Sequence, residues 1–402
     1  MIKKNLLLLF LPIIIFSQGF DKIDNLINSS IRLKAFPGAQ VYIKKNDLEY
    51  IKSYGFHTYD SIIKVRNDHL YDLASLTKVF SSTLALMKLS EEKKILLSEP
   101  VSNYLKKLKT SNKKNSTFND LLMHISGWIP YINHQQHLIK KNGKLKKRFI
   151  SPNPGLNKKQ IAKNIFIKSN YYKTVIKRIK KTKIENVGDY LYSGLFYCLV
   201  PEIVEKVTLK KFEIFLNEEI YSKFNVNLLF NPANKYPLNK IVPSEIDKTF
   251  RNQLIHGYVH DETAAIMGGV SGNAGLFGCA ADIGKISQIL LNHGILKNES
   301  IFLKQTIDNF TNPSFKNNST PRGLGFDKPR FDSEGESIYS KKLSKSSYGH
   351  TGFTGTFFWV DPDQDLIVVL LTNRVFPSRE SEKIYELEVR DKLTEIALEI
   401  NL

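Results

Sequence analysis

The chain has 402 residues, with 58 Lys and Arg against 39 Asp and Glu, a formal net charge of +19. A 42% apolar and 24% charged composition is that of a globular protein and excludes wholesale disorder or a fibrous architecture. Two cysteines, Cys198 and Cys279, exclude a disulfide scaffold or a Cys-rich zinc site and allow one bridge at most.

The charge is unevenly placed. Residues 140–183 hold sixteen Lys and Arg and no Asp or Glu, and outside that stretch the two signs nearly balance. This is a near-neutral protein with one basic insertion, not a uniformly basic nucleic-acid binder. Aromatics in the insertion (Phe149, Phe166, Tyr171, Tyr172) leave a nucleic-acid contact open. A solvated face, or one turned to anionic polymers or lipids, is the favoured reading, and no nucleic-acid partner is expected.

At the start, Lys3 and Lys4 precede the apolar run Leu6 to Phe16, and Ser17-Gln18-Gly19 follows. That is the layout of a secretory signal peptide, too short to span a bilayer comfortably, so export is expected and residues 1–18 are set aside from the fold. Phe20 to Leu33 reads as a helix with Ile23, Leu26, Ile27 and Ile31 on one face. Ala39–Lys44 and Leu48–Tyr54 read as strands of a hairpin. Residues 76–89 are helical, with Leu76, Val79, Phe80, Leu84 and Met87 together. Residues 116–250 read as mainly helical and loop-rich, and Gly268 to Gly278 as a glycine-rich turn before a helix, Ala281–Leu291. Two strong strands, Thr356–Val360 and Leu366–Thr372, flank Asp361-Pro362-Asp363-Gln364-Asp365, and residues 380–400 form a final helix. Strands at both ends with helices between them predict one sheet built from both termini and an inserted helical domain.

Three stretches hold candidate chemistry. Ser75 and Lys78 are three apart and share a helix face. A hydroxyl there meets the positive end of the helix dipole, and a buried Lys beside it can accept or relay a proton. The same spacing recurs at Ser90/Lys93 and Ser111/Lys114, but only Ser75 opens an apolar helix after an uncharged approach. Taken alone, Ser75 reads equally as a helix cap. In Tyr190-Leu191-Tyr192-Ser193-Gly194 a tyrosine can act as a base beside a cation; taken alone, such residues are usually core or turn. In Gly349-His350-Thr351-Gly352-Phe353-Thr354-Gly355 the glycines permit close substrate approach, and an N–H can face a developing oxyanion.

In this order the three elements resemble the serine β-lactamase-like superfamily: class C β-lactamases, D-Ala-D-Ala peptidases and related esterases. The resemblance spans about residues 30–395. Leu121 to Gly127 is similar to the family's Leu-Leu-x-His-Thr-Ser-Gly loop, Tyr192 to Lys206 to its Tyr-Ser helix, and Gly268 to Asp282 to its glycine-rich segment. The basic insertion, Tyr258–Asp261 and Arg322–Asp327 resemble more closely the serine-hydrolase module found fused to β-N-acetylglucosaminidase-type glycoside hydrolases. The resemblance implies an α+β fold of the β-lactamase/transpeptidase type, a mostly antiparallel sheet flanked by helices. It would form one unit over 19–402, with an α/β part at 19–75 and 255–402 and a mainly helical part at 76–254. It implies Ser75 as the acylated nucleophile, Lys78 and Tyr192 as the proton-relay pair with the base unassigned, and His350-Thr351-Gly352 as the strand motif. The N–H groups of Ser75 and Phe353 would form the oxyanion hole.

Two positions depart from the family pattern. Gly194 stands where an Asn is common, and His350 where the motif has Lys. A histidine is largely uncharged at neutral pH, so a permanent cation for a substrate carboxylate is missing unless Arg374 or the insertion supplies it. Both changes point from β-lactamase towards an esterase or atypical peptidase acting on small esters, amides or cell-wall-derived substrates. A penicillin-recognising sensor with little turnover is the alternative, and an anionic-surface binding protein with a degenerate site a third. His256/His260 and His134/His137 lack the Glu of a zinc-peptidase motif, and His124 reads as a structural loop residue. No metal or cofactor is expected.

Overall fold

The computed structural model describes residues 11–296, 299–312, 322–329 and 342–400, with side chains from Phe20 onward, Leu296 excepted. Its central sheet has five antiparallel strands in the order Tyr348–Thr351, Phe357–Asp361, Leu366–Thr372, Gly38–Lys45, Leu48–Gly55. The two termini meet in the middle, where Ala39 lies opposite Thr372 and Lys45 opposite Leu366.

The period of two explains the layers. Val41, Ile43, Phe357, Trp359, Val368 and Leu370 face a core shared with Ile23 and Ile27 of the helix Leu11–Arg32 and Leu393 and Ala397 of the helix Val389–Glu399. Tyr42, Phe358, Val360, Ile367, Val369 and Leu371 face the larger core, against Ile283, Ile286 and Leu290 of the helix Ala280–Leu291. A sheet buried on both faces needs apolar residues on both, and Leu366–Thr372 supplies them without interruption.

Several boundaries differ from the sequence reading. The first helix begins at Leu11, inside the segment set aside as an export signal; residues 1–10 lie outside the described residues. The final helix is two, Lys383–Glu386 and Val389–Glu399, because Glu388 takes a left-handed conformation (φ 51°). The stretch 116–250 is less helical than expected. Within the basic insertion, Ile150–Ser151, Ile165–Lys168 and Lys158–Ala162 form a three-stranded sheet, followed by the helix Tyr172–Lys181. Scattered lysines hide the alternation that buries Ile165 and Ile167 while Lys168 stays exposed. A further small sheet joins Tyr71–Asp72, Leu276–Gly278 and Leu229–Phe230.

Gly284 lies in the helix that crosses the central sheet, and a Cβ there would come within 2.5–2.6 Å of the Tyr42 ring. That ring is fully buried and its hydroxyl accepts a 2.6 Å hydrogen bond from Gln288, so it cannot swing aside. Gly284→Ala gains about 1 kcal/mol of helix propensity but overpacks the interface by about 1–3 kcal/mol. The net result is a lower Tm in thermal denaturation; a raised Tm would show that Tyr42 yields.

Candidate active site

The site begins with a tight turn. Ala74 has φ 46°, a left-handed conformation for a non-glycine residue, immediately before Ser75. Buried Asp72 holds it: Oδ1 accepts from the Ala74 N–H at 2.9 Å and Oδ2 from the His260 N–H at 2.6 Å. From the other side, Thr354 Oγ1 donates to the Asp72 carbonyl at 2.8 Å and Thr356 Oγ1 to the Leu73 carbonyl at 3.0 Å. The strand edge and the turn approach so closely that a Cβ on Gly352 would lie 2.8 Å from the Leu73 carbonyl oxygen. The third residue of His350-Thr351-Gly352 is therefore glycine for lack of space.

From Leu76 a helix runs to Glu91 through a π-helical stretch, Lys78–Thr83. Lys78 is buried, and its Nζ donates to Ser75 Oγ at 2.8 Å and to the Asn273 carbonyl at 3.0 Å. Tyr192 Oη lies 3.2 Å from the same Ser75 oxygen, and Lys78 Nζ is 5.4 Å from the Tyr192 ring centre. Burial pushes the Tyr192 phenol up, but the Lys78 charge, hydrogen bonds with Ser75 and Lys78, and the Arg322 charge outweigh it, leaving the phenol below its ordinary value.

Behind Tyr192 lie two buried histidines. The His124 ring centre is 4.6 Å from that of Tyr192, and His124 Nδ1 accepts the Ser193 N–H at 3.2 Å. His350 Nδ1 lies 2.7 Å from the Thr351 carbonyl, which fixes the proton on that nitrogen. Burial first, then the charges of Arg322 and Lys78, push both histidines well below their ordinary range, so both are neutral. Arg374 does not reach the cleft as a substitute cation. It is buried, donates to the carbonyls of Phe353, Arg379 and Ser381, and lies 4.5 Å from the Phe353 ring centre.

Ser75, Tyr192, His350, Thr351, Gly352 and Phe353 line one cleft of about 310 Å³, with Tyr190, Asp327 and Tyr385. The seven residues singled out from the sequence thus converge, Lys78 from beneath. Among the described residues no acceptor is bonded to the N–H of Ser75 or Phe353. A Cβ on Gly194 would make ordinary contacts, 3.9 Å from the Pro130 carbonyl oxygen and 4.0 Å from the Asn273 Cβ.

Residues 23–391 match the model of the Beta-lactamase family. The chain belongs to that family. It is a serine hydrolase of the β-lactamase-related type. A protein of Salmonella gallinarum (strain 287/91 / NCTC 13346) named "Putative D-alanyl-D-alanine carboxypeptidase" is 29% identical over 387 residues, covering 89% of this chain and 83% of its own. A class C beta-lactamase structure superposes with TM-score 0.66 at 17% identity, covering 94% of this chain and 98% of that one. EstCE1, a hydrolase with promiscuous acyltransferase activity, superposes with TM-score 0.68 at 16% identity, covering 94% and 99%.

Four residues of this β-lactamase-family site carried no role in the sequence reading. Asn273 offers its carbonyl to Lys78, and its side chain is held by Ser271 at 2.7 Å and Asp261 at 3.3 Å. Buried Arg322 pairs with Asp327, which lines the cleft together with His350. Tyr385 arrives from the C-terminal segment. Only the glycine-rich context of Asn273 and the Arg322–Asp327 stretch carried a sequence signal. The other histidines have structural partners: His256 contacts the carbonyls of Leu238 and Ile241, and His260 contacts Glu245 at 2.8 Å. No cluster of three or more metal-ligating side chains occurs among the described residues. Both cysteines are buried and unbridged.

Four buried histidines predict unusual acid sensitivity. His124 and His350 are held well below the ordinary histidine range, and burial lowers His57 and His134 to about 4. A depressed histidine contributes stability above the unfolded value that is lost as pH falls through it towards the folded one. Tm is expected to decline from about pH 6.5 downward, before the carboxylates titrate. A flat Tm between pH 7 and 5 would show that these histidines are not held neutral.

Proposed function

We propose that the protein is an exported serine hydrolase that works through a covalent acyl-enzyme on Ser75, with small esters or amides, cell-wall-derived ones included, as substrates. The observation that carries this reading is Ser75 Oγ set between Lys78 Nζ at 2.8 Å and Tyr192 Oη at 3.2 Å. The names of the relatives, a D-alanyl-D-alanine carboxypeptidase and a hydrolase with acyltransferase activity, support substrates of that class. Export rests on the N-terminal sequence.

In the proposed cycle Ser75 Oγ attacks the substrate carbonyl and passes its proton into the Lys78–Tyr192 pair. The oxyanion is met by the N–H groups of Ser75 and Phe353, both without an internal acceptor among the described residues. Breakdown returns the proton to the leaving alcohol or amine and leaves an ester on Ser75. Water then attacks that ester, the pair takes its proton and delivers it to the departing Ser75 Oγ, and the acid is released. The Lys78 and Arg322 charges hold the Tyr192 phenol below its ordinary value, which favours it as a proton acceptor.

The outward face of the helix Tyr172–Lys181 exposes Lys173, Lys177 and Lys181, while Val175, Ile176 and Ile179 are buried. That supports contact of the insertion with an anionic surface. Because the insertion contributes to the core, exchanging those lysines for Gln is the appropriate test, and cosedimentation with anionic vesicles is expected to fall.

Intact-protein mass after treatment with a fluorophosphonate probe tests the nucleophile. Wild type is expected to gain one adduct and Ser75→Ala none, with ester hydrolysis falling at least about 10³-fold. Tyr192→Phe is expected to lower kcat by about 10²–10⁴-fold. An adduct that persists in Ser75→Ala would place the nucleophile elsewhere.

A further inference from the structure

The cleft has a charge pattern opposite to that of a site built for a substrate carboxylate. Of the described side chains that line it, Asp327 carries a carboxylate, and burial holds His350 well below its ordinary range. Asp327 is fixed beside the strand that carries the motif: its N–H donates to the Gly349 carbonyl at 2.8 Å, and its carbonyl accepts the Gly349 N–H at 3.0 Å. Asp327 lines the same cleft as His350, and its side chain is 14% exposed.

No nearby cation among the described residues faces the cleft. Arg322 pairs with the Asp327 carboxylate, and its own side chain is 0% exposed. Lys78 is buried and engaged with Ser75 and Asn273. Arg374 and Arg390 lie behind the aromatic wall, their guanidinium carbons 5.1 and 5.4 Å from the Tyr385 ring centre. Arg390 donates to the carbonyls of Gly352 and Thr356, each at 3.1 Å. Lys328 turns away to the Ser346 carbonyl at 2.8 Å.

Among the described residues, a substrate carboxylate entering this cleft meets the Asp327 carboxylate and no unpaired cation, whereas a protonated amine finds an acceptor there. We infer that the cleft selects esters or amides carrying a protonated amine and discriminates against those carrying a carboxylate, with Asp327 as the specificity-determining group. This deepens, and rests on, the acyl-enzyme reading of Ser75.

Three benzyl esters test it: D-alanine benzyl ester, its N-acetyl form and its N-succinyl form, which are cationic, neutral and anionic at a pH where the amine is protonated. Benzyl alcohol release gives kcat/KM, each divided by the uncatalysed rate. Wild type is expected to prefer the cationic ester over the anionic one by about tenfold or more, as charge complementarity at one contact provides. Asp327→Glu is expected to keep the order. Asp327→Asn with Arg322→Met removes both charges, leaves neither partner buried alone, and is expected to shrink the ratio towards one. A wild-type preference for the anionic ester, or a ratio unaltered in a folded double variant, overturns the inference. Should the double variant fail to fold, the wild-type order decides. Fluorophosphonate labelling in parallel separates the two readings. Labelled Ser75 without amine preference rejects this specificity alone, whereas unlabelled wild type without hydrolysis rejects the nucleophile and the specificity together.

Discussion

One buried ammonium organises the centre. Lys78 lies beneath the cleft, where an unpartnered cation would cost several kcal/mol. Its partners are the Ser75 hydroxyl and the Asn273 carbonyl, and each is held in turn. Ser75 hangs on the Asp72-clamped turn; Asn273 is tied by Ser271 and Asp261. The same charge lowers the phenol of Tyr192, so one lysine both positions and polarises the groups around the serine oxygen.

The scaffold explains how such different parts of the chain meet with this precision. The central sheet is closed by pairing the first strand with the last, so its edge strand Tyr348–Thr351 is delivered by the C-terminal region. Two threonines beyond that strand, Thr354 and Thr356, then hydrogen-bond the carbonyls of Asp72 and Leu73. The glycine between them and His350 lets the two backbones approach. A fully buried ion pair, Asp247–Arg251, supports the far side: Arg251 donates to the carbonyls of Val259 and His260, and the His260 N–H reaches Asp72. The strained residue before Ser75 is thus held by Asp72, and the turn is tied to two distant segments, 354–356 and the loop at His260.

The electrostatics of the site differ from its sequence motif. A histidine replaces the motif lysine, and burial keeps it neutral, so it contributes shape and a backbone-directed hydrogen bond rather than charge. Beside Lys78, the region holds Arg322, which is enclosed in the protein and paired with Asp327. Its field reaches Tyr192 and both neighbouring histidines, yet a ligand in the cleft meets the carboxylate.

The sequence by itself determined the strands and the helices around the core, because alternation in Gly38–Lys45 and the apolar run Leu366–Thr372 are local patterns. It determined the family as well, since Ser75, Lys78, Tyr192 and His350-Thr351-Gly352 sit in short motifs whose order is itself a signal. It misjudged the basic insertion, where lysines of both exposed and half-buried positions mask the strand period. Only the tertiary structure decided which cation serves the site and which charge faces the substrate. Arg322 and Asp327 lie in a stretch whose sequence gives no sign of orientation, and Arg374, a candidate by type alone, is turned behind Phe353. The reason is physical: secondary structure follows from neighbours in the chain, whereas the charge that a cleft presents depends on which side chains are buried and paired across hundreds of residues.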